Sequence, residues 1–327
     1  MEANLKELGQ FGTNATVFGG DFGNLKETDR QKLREFLSSN RSRLHFKGES
    51  SVDRFVHRLR WIKSPVERSL MRLCGRIGSA ALASTMRYSA SAGALKEWTL
   101  SSVMELQARL RGAEGLAYPP VIAAGHRATT IHYLKCDQPI QPSDLVLMDA
   151  GCELQGYVSD ITRTWPVSGQ FSNAQRVLYE VLYETHQELL KFASEIRPLR
   201  LNELYVKQTE LLGSKLQSAG VLDRGASGKL LSKQVERLCP HHVSHYLGMD
   251  VHDTSHVSRN APLVDGVGFT IEPGLYFKAE DTSVPEEFRG MGLRIEDDIL
   301  VTDTGIENLT ESCPSSVRDV EALLNHC

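Results

Sequence analysis

DAGCELQGYVSDITRTWP, residues Asp149–Pro166, decides how this chain is read. Leu145-Val146-Leu147-Met148 leads into it as a short apolar run, as a buried strand does. Gly151 and Gly156 bracket a turn, and Tyr157 to Trp165 is rich in β-branched and aromatic residues. The pattern predicts a β-hairpin. With the turn centred on Leu154-Gln155, residues whose numbers sum to 309 face one another, and 149 + 160 = 309. Asp149 and Asp160 are then expected directly across the ladder, with Cβ atoms roughly 4.5–5.5 Å apart. Two ionised carboxylates that close repel unless they share a proton or a cation. Taken alone, the pair is more simply read as one turn-capping Asp and one facing water. The rest of the chain reverses that preference.

A length of 327 residues allows one large domain or two smaller ones. Hydrophobic content of 41% and charged content of 24% are those of an ordinary soluble globular protein. The net charge of -4 argues against a nucleic-acid partner. Residues 28–72 carry twelve Lys/Arg against five Asp/Glu, which reads as a solvated helical face. Cys74, Cys136, Cys152, Cys239, Cys313 and Cys327 form no CxxC pair, so free thiols in a reducing compartment are expected. No apolar run reaches the ~18 residues that a membrane span needs. The first twenty residues lack arginine and contain acidic groups, and read neither as a signal nor as a transit peptide.

Residues 1–62 read as a mixed segment, the remnant of an N-terminal domain or a tail. Asn14 to Gly20 is a candidate strand, and Thr28 a candidate cap for a helix from Asp29 to about Ser38. At Ser64-Pro65-Val66-Glu67 a capping box with Pro at the first helical position opens a long helix, to about Ser89, with a small-residue face suited to close packing. A second helix is expected over about Leu100–Arg111. Val121-Ile122-Ala123 and Ile131-His132-Tyr133 are strand candidates. Ser172-Asn173-Ala174-Gln175 opens a helix to about Glu195, and Leu201–Ala219 is a further helix stopped by Gly220. Strands and glycine turns follow, over Gly266–Phe277 and Gly292–Thr302. The pattern is that of an α+β domain over 63–327, an antiparallel sheet flanked by helices.

Three C-terminal stretches join the two aspartates. HHVSHYLGMDVHD (241–253) holds His241, His242, His245 and His252. In TIEPGLY (270–276), Glu272 ends an apolar strand at a Pro-Gly turn. In GLRIEDDILVT (292–302), Arg294 and Glu296 are two apart and share a strand face. Asp149, Asp160, His245, Glu272 and Glu296 make four carboxylates and one imidazole, a donor set that suits Mn²⁺, Co²⁺ or Zn²⁺. Four carboxylates balance two dications, the arrangement that activates a nucleophile and clamps a tetrahedral intermediate.

With these motifs the sequence resembles the Xaa-Pro aminopeptidases (aminopeptidase P) of the pita-bread metallopeptidases, closest to their mitochondrial type, over about residues 62–322. The resemblance implies the pita-bread (creatinase/aminopeptidase) fold. It implies two divalent ions, Mn²⁺ above all, on Asp149, Asp160, His245, Glu272 and Glu296, with Asp160 and Glu296 bridging. It places His132, His241, His252, Arg294 and Tyr276 around the substrate. His132, His252 and Tyr276 are its substrate contacts; Glu272 is the candidate proton shuttle, alongside His132, His241, His252 and Arg294 as catalytic residues. The substrates would be peptides with proline at the second position, cut to release the first residue. Alternatives are a dipeptide-specific prolidase, a methionine aminopeptidase and a non-catalytic binding module. The resemblance implies a mitochondrial setting, with a cytoplasmic one as the alternative, and no nucleic-acid or membrane partner. Family members carry a substantial N-terminal domain where only some 62 residues stand here. A monomer or weak dimer is therefore expected.

Overall fold

The computed structural model describes residues 15–18, 31, 32, 35, 44–47 and 50–325. It divides into two units, Met1–Arg60 with Ser255–Val257, and Trp61–Thr254 with Ser258–Cys327. In the first, strand β1 (Ala15–Phe18), within the expected 14–20, pairs in parallel with β2 (Leu44–Lys47). Helix α1 (Ser50–Trp61) follows. The helix expected over 29–38 lies largely outside the described residues.

The second unit opens at Ser64, which caps α2 (Pro65–Ser91). Ser64 Oγ accepts Glu67 N and Glu67 Oε2 accepts Ser64 N, the capping box the sequence predicts. The basic residues beside it are not simply solvated. Lys63 is buried, with Nζ 3.4 Å from Asp253 Oδ2, and Arg72 holds Glu307 through two nitrogens. Next come β3 (Leu95–Lys96), α3 (Glu97–Leu110), β4 (Gly115–Leu116), β5 (Val121–Ala124) and β6 (Pro139–Ile140). Ile131-His132-Tyr133 is not the expected strand. It lies in a turn after a short 3₁₀ helix (Gly125–Thr129), because Tyr133 Oη and Gln138 N are drawn onto the Glu97 carboxylate rather than into a ladder.

The hairpin is β7 (Leu145–Ala150), β8 (Cys152–Leu154), β9 (Tyr157–Val158) and β10 (Ile161–Pro166). Its register differs from the expected one. Leu154 pairs with Tyr157 and Asp149 with Thr162, so facing numbers sum to 311. The two turn residues are Gln155 and Gly156, both at positive φ (50° and 76°), as the favoured two-residue hairpin turn requires. A shift of two preserves which face each side chain takes. Asp149 and Asp160 thus share a face, as diagonal rather than direct neighbours. Ser159 and Asp160 stand outside the strands. A Cβ on Gly151 would fall 1.6 Å from Ser159 O, so only glycine lets the two backbones approach this closely. Asp160 N turns instead to both oxygens of Asp298, at 3.1 Å.

After the hairpin, α4 (Asn173–Glu195) starts from the second expected capping box, at Ser172 and Gln175. Then come α5 (Leu201–Ser218), α6 (Gly228–Leu238), β11 (Gly268–Ile271), β12 (Gly274–Phe277), β13 (Met291–Arg294), β14 (Asp297–Val301), β15 (Ile306–Asn308) and α7 (Val317–Asn325). Helices α6 and α7 have no counterpart in the sequence reading. Gly266–Phe277 holds two strands with the expected break at Glu272-Pro273, whereas a second break at Ile295-Glu296 takes Glu296 off the strand expected to carry it with Arg294. Pro273 has no N–H to give a ladder, so pairing stops beside Glu272.

Antiparallel sheets β10-β7-β5 and β11-β14-β15 meet at a single bridge between Thr162 and Glu296. Along β5 and β7, Ile122, Val146 and Met148 enter the main core with Leu82 and Met86 of α2 and Leu178 and Leu182 of α4. Val121, Ala123 and Leu147 point the other way and pack with Tyr276. Helices thus back one face, and the period of two puts Asp149 on the other. Gly78 lets α2 press onto the hairpin: a Cβ there would lie 2.6 Å from Ser159 Oγ. Buried Trp165 donates Nε1 to Ser89 Oγ of α2 at 2.8 Å, so its polar edge is satisfied as its ring fills the core.

Candidate metal centre

The five expected donors converge at the seam of the two sheets. Asp149 comes from the end of β7, Asp160 from the gap before β10, His245 from the loop before β11, and Glu272 and Glu296 from the two strand breaks. Ligand atoms of Asp160, His245 and Glu296 all lie within 4.8 Å of one another. His245 Nε2 is 3.3 Å from Asp160 Oδ2, 3.5 Å from Glu272 Oε1 and 3.8 Å from Glu296 Oε1. Its Nδ1 lies 3.1 Å from the Tyr246 carbonyl, which takes the ring proton. That leaves Nε2 facing the carboxylates; a cation bound there would replace its proton and take its lone pair, with Nδ1–H held as in a metal-binding imidazole.

A second layer holds these groups. Arg294, 2% exposed, donates Nη2 to Asp149 Oδ2 at 2.6 Å, Nη1 to Tyr276 Oη at 2.8 Å and Nε to Thr162 Oγ1 at 3.0 Å. Thr162 Oγ1 in turn donates to Glu296 Oε2 at 2.6 Å. Tyr118 Oη stands between the aspartates, 2.7 Å from Asp149 Oδ1 and in contact with Asp160 Oδ1. Behind Glu296, buried Arg163 donates Nη1 to the carbonyls of Glu296 (2.6 Å) and Thr162 (2.9 Å). Its Nη2 pairs with Asp297 Oδ1 at 2.7 Å. The two backbones of the bridge are thus clamped together.

The electrostatics are those of a site short of positive charge. Burial, with Asp160 and Glu272 nearby, pushes Glu296 well above the usual carboxylate range. Burial also raises Glu272 to about 7, against the pull of His245 and Arg294. Asp149 is raised by burial, with Arg294 partly offsetting it. Burial works to raise Asp160 too, but the contact with His245 outweighs it and holds Asp160 low. Burial would lower His245, yet its contact with Asp160 and the charge of Glu272 lift it to about 9. Without a cation, four carboxylates this close, Asp160 and Glu296 buried and Asp149 and Glu272 partly so, cannot all ionise. An oxygen-rich, desolvated and negatively charged cluster fits divalent metal ions.

The remaining expected residues lie around this cluster. His252 stacks its ring edge-on to His245, centroids 4.6 Å apart, and burial and the charge of His245 lower it. His241 has both nitrogens engaged: Nδ1 at 3.0 Å from the His242 carbonyl and Nε2 at 3.0 Å from Tyr276 Oη. Burial and Arg294 lower it to about 4. His132 is exposed, on the turn after the 3₁₀ helix. The sequence reading passed over Tyr118, Thr162 and Arg163. For Thr162 a signal existed: Asp160, Thr162 and Thr164 alternate as polar residues along one strand face. Tyr118, before Pro119-Pro120, carries no local mark of its role.

Antiparallel sheets backed by helices, with buried carboxylates and an imidazole at their seam, define a pita-bread metallopeptidase. The chain belongs to metallopeptidase family M24, whose profile matches residues 69–303. It is 44% identical over 273 residues to Xaa-Pro aminopeptidase 3 of Rattus norvegicus, across 84% of this chain and 53% of that protein. It is 44% identical over 278 residues to mitochondrial intermediate cleaving peptidase 55 of Arabidopsis thaliana, across 85% and 54% respectively. The chain spans about half the length of these curated relatives. Among solved structures, aminopeptidase PepP of Pseudomonas aeruginosa superposes with a TM-score of 0.85 at 31% identity, across 95% of this chain and 71% of that one.

Proposed function

We propose that this protein is a metal-dependent aminopeptidase that hydrolyses the bond between an N-terminal residue and a following proline, releasing the first residue. The observation that carries the reading is the convergence of Asp160, His245 and Glu296 within 4.8 Å, with Asp149 and Glu272 beside them. These five residues would hold two divalent ions, Mn²⁺ by family likeness, with Asp160 and Glu296 shared between them. Such ions supply Lewis acidity and an activated water. The protein's own groups do the rest. Glu272, at the strand break beside His245, is the residue assigned to carry a proton to the leaving proline nitrogen. His252 and His132 are placed to donate to peptide carbonyls. Arg294, Tyr276 and His241 form one hydrogen-bonded line that orients Asp149 and the substrate side of the site.

The relatives' names support proline specificity over a dipeptide-only prolidase, and a mitochondrial setting over a cytoplasmic one. We assign residues 63–327 as the catalytic domain. The test is a digest of matched Xaa-Pro-Xaa, Xaa-Ala-Xaa and Xaa-Pro peptides by metal-loaded protein. Release of the first residue from the first peptide alone supports the proposal. Equal rates with proline and alanine, or cleavage confined to the dipeptide, would reject it.

A further inference from the structure

The segment that carries His132, between β5 and β6, hangs on one carboxylate. Glu97, the first residue of α3, is fully buried. Its Oε1 accepts Ala124 N at 3.0 Å and Arg127 Nε at 2.7 Å; its Oε2 accepts Tyr133 Oη at 3.0 Å and Gln138 N at 3.1 Å. Glu97 N also donates to Gln138 O at 3.0 Å. Donors from the start, middle and end of the segment thus meet on one side chain. A carboxylate has about four acceptor positions, and here each oxygen already takes two donors. Glu97 is occupied in holding rather than in binding a ligand.

What it holds faces the metal centre. Ile131 and Tyr133 pack against Val121, Ala123, Leu147 and Tyr276, the side of the sheet opposite the core. His132 stands exposed between them, with Leu134 59% exposed beyond. The segment has no ladder of its own here, so its path depends on side-chain anchors, and charge-assisted hydrogen bonds are the strong kind.

We propose that Glu97 is the positioning residue of the 125–138 segment, setting where His132 stands and so how tightly the peptide is held. This rests on the reading of His132 as a substrate contact. The experiment is a double-mutant cycle on the metal-loaded chain with an Xaa-Pro-Xaa peptide, using Glu97→Gln, His132→Ala and both. Glu97→Gln keeps the size but turns one acceptor oxygen into a donor facing donors. We expect KM to rise on the order of 10- to 100-fold, kcat to change less, and no further loss when His132 is already alanine. Additive losses, or unchanged kinetics, would overturn the proposal. If Glu97→Gln does not fold, Tyr133→Phe removes one of the four donors, keeps the ring and carries the same cycle. If the wild-type chain does not cleave the peptide, it is the substrate reading that fails. Amide hydrogen exchange over residues 125–138 then decides: faster exchange in the Glu97 variant supports the anchor, and unchanged exchange overturns it.

Discussion

Arg294 Nη2 donates to Asp149 Oδ2 at 2.6 Å, across 145 residues of chain. The contact ties the β10-β7-β5 sheet to the antiparallel pair β12-β13 through a candidate metal ligand, and the same guanidinium also holds Tyr276 and Thr162. A planar fork can serve three partners at fixed angles; an ammonium is a point charge and cannot.

Arg294→Lys should therefore keep the fold and weaken metal affinity or activity by about 10–100-fold, the usual cost of losing a partner of a ligand. Titration calorimetry with Mn²⁺ checks it; wild-type affinity together with wild-type turnover would show that the fork is dispensable.

Asp160 and Glu296 are the residues assigned to both ions. Asp160→Ala or Glu296→Ala should each release both metals, whereas loss of a one-sided ligand should leave one. Metal content of the purified variants decides, and full retention in both would end the bridging assignment.

His252 is not needed to complete the metal shell and stacks on His245. His252→Ala should keep its metals and melting temperature and lose about 10²–10³ in kcat, the typical cost of removing a donor to developing charge. A lowered melting temperature with normal kcat would make it a structural histidine.

Arg163 and Asp297 form a buried pair at 2.7 Å. Arg163→Met takes the guanidinium from Asp297, leaving its carboxylate to Thr310 Oγ1, Asn308 Nδ2 and His186, and takes the donor from the Glu296 carbonyl; removing one member of a buried pair costs about 3–5 kcal/mol. Urea unfolding of the metal-free variant reads this directly; a loss under about 1 kcal/mol, the range of an exposed pair, would contradict the clamp.

Above about pH 6.5 the metal-free protein should lose stability as pH rises; below that, His186, His241 and His242, each lowered to about 4 with burial the leading cause, act in the opposite direction. His245 is raised in the fold from 6.5 to about 9, so its contribution is complete below 6.5 and lost as pH passes 9. Glu272 is raised from 4.5 to about 7, and the protonated form it favours is lost as pH passes 7. Both act in the same direction, and between about pH 6.5 and 9 the lowered histidines no longer oppose them. Divalent ions bound to these groups should flatten that slope. Melting temperatures across this range, with chelator and with Mn²⁺, test it; an apoprotein that grows more stable toward pH 9 would refute it.

The five converging residues were legible because each sits where a local pattern breaks: a hairpin, a Pro-Gly turn, a charged step in an apolar strand. The hairpin register was misplaced by two residues, although Gly156 marks the second position of a turn needing positive φ. The error did not touch the site, because an even shift leaves every side chain on its own face. The odd-numbered face of β7 was therefore readable when the pairing itself was not.

The sequence by itself determined the capped helices, the α+β class and the five residues that converge at the seam, all read from short windows of local pattern. Tertiary structure alone decided that Tyr118 stands between two aspartates, that Thr162 faces Asp149, that Lys63 is buried against Asp253, and that Glu97 gathers the 125–138 segment. These contacts join residues far apart in the chain. They arise where burial leaves a charged or polar group no water, so that it must find its partner in whatever the folded backbone brings near.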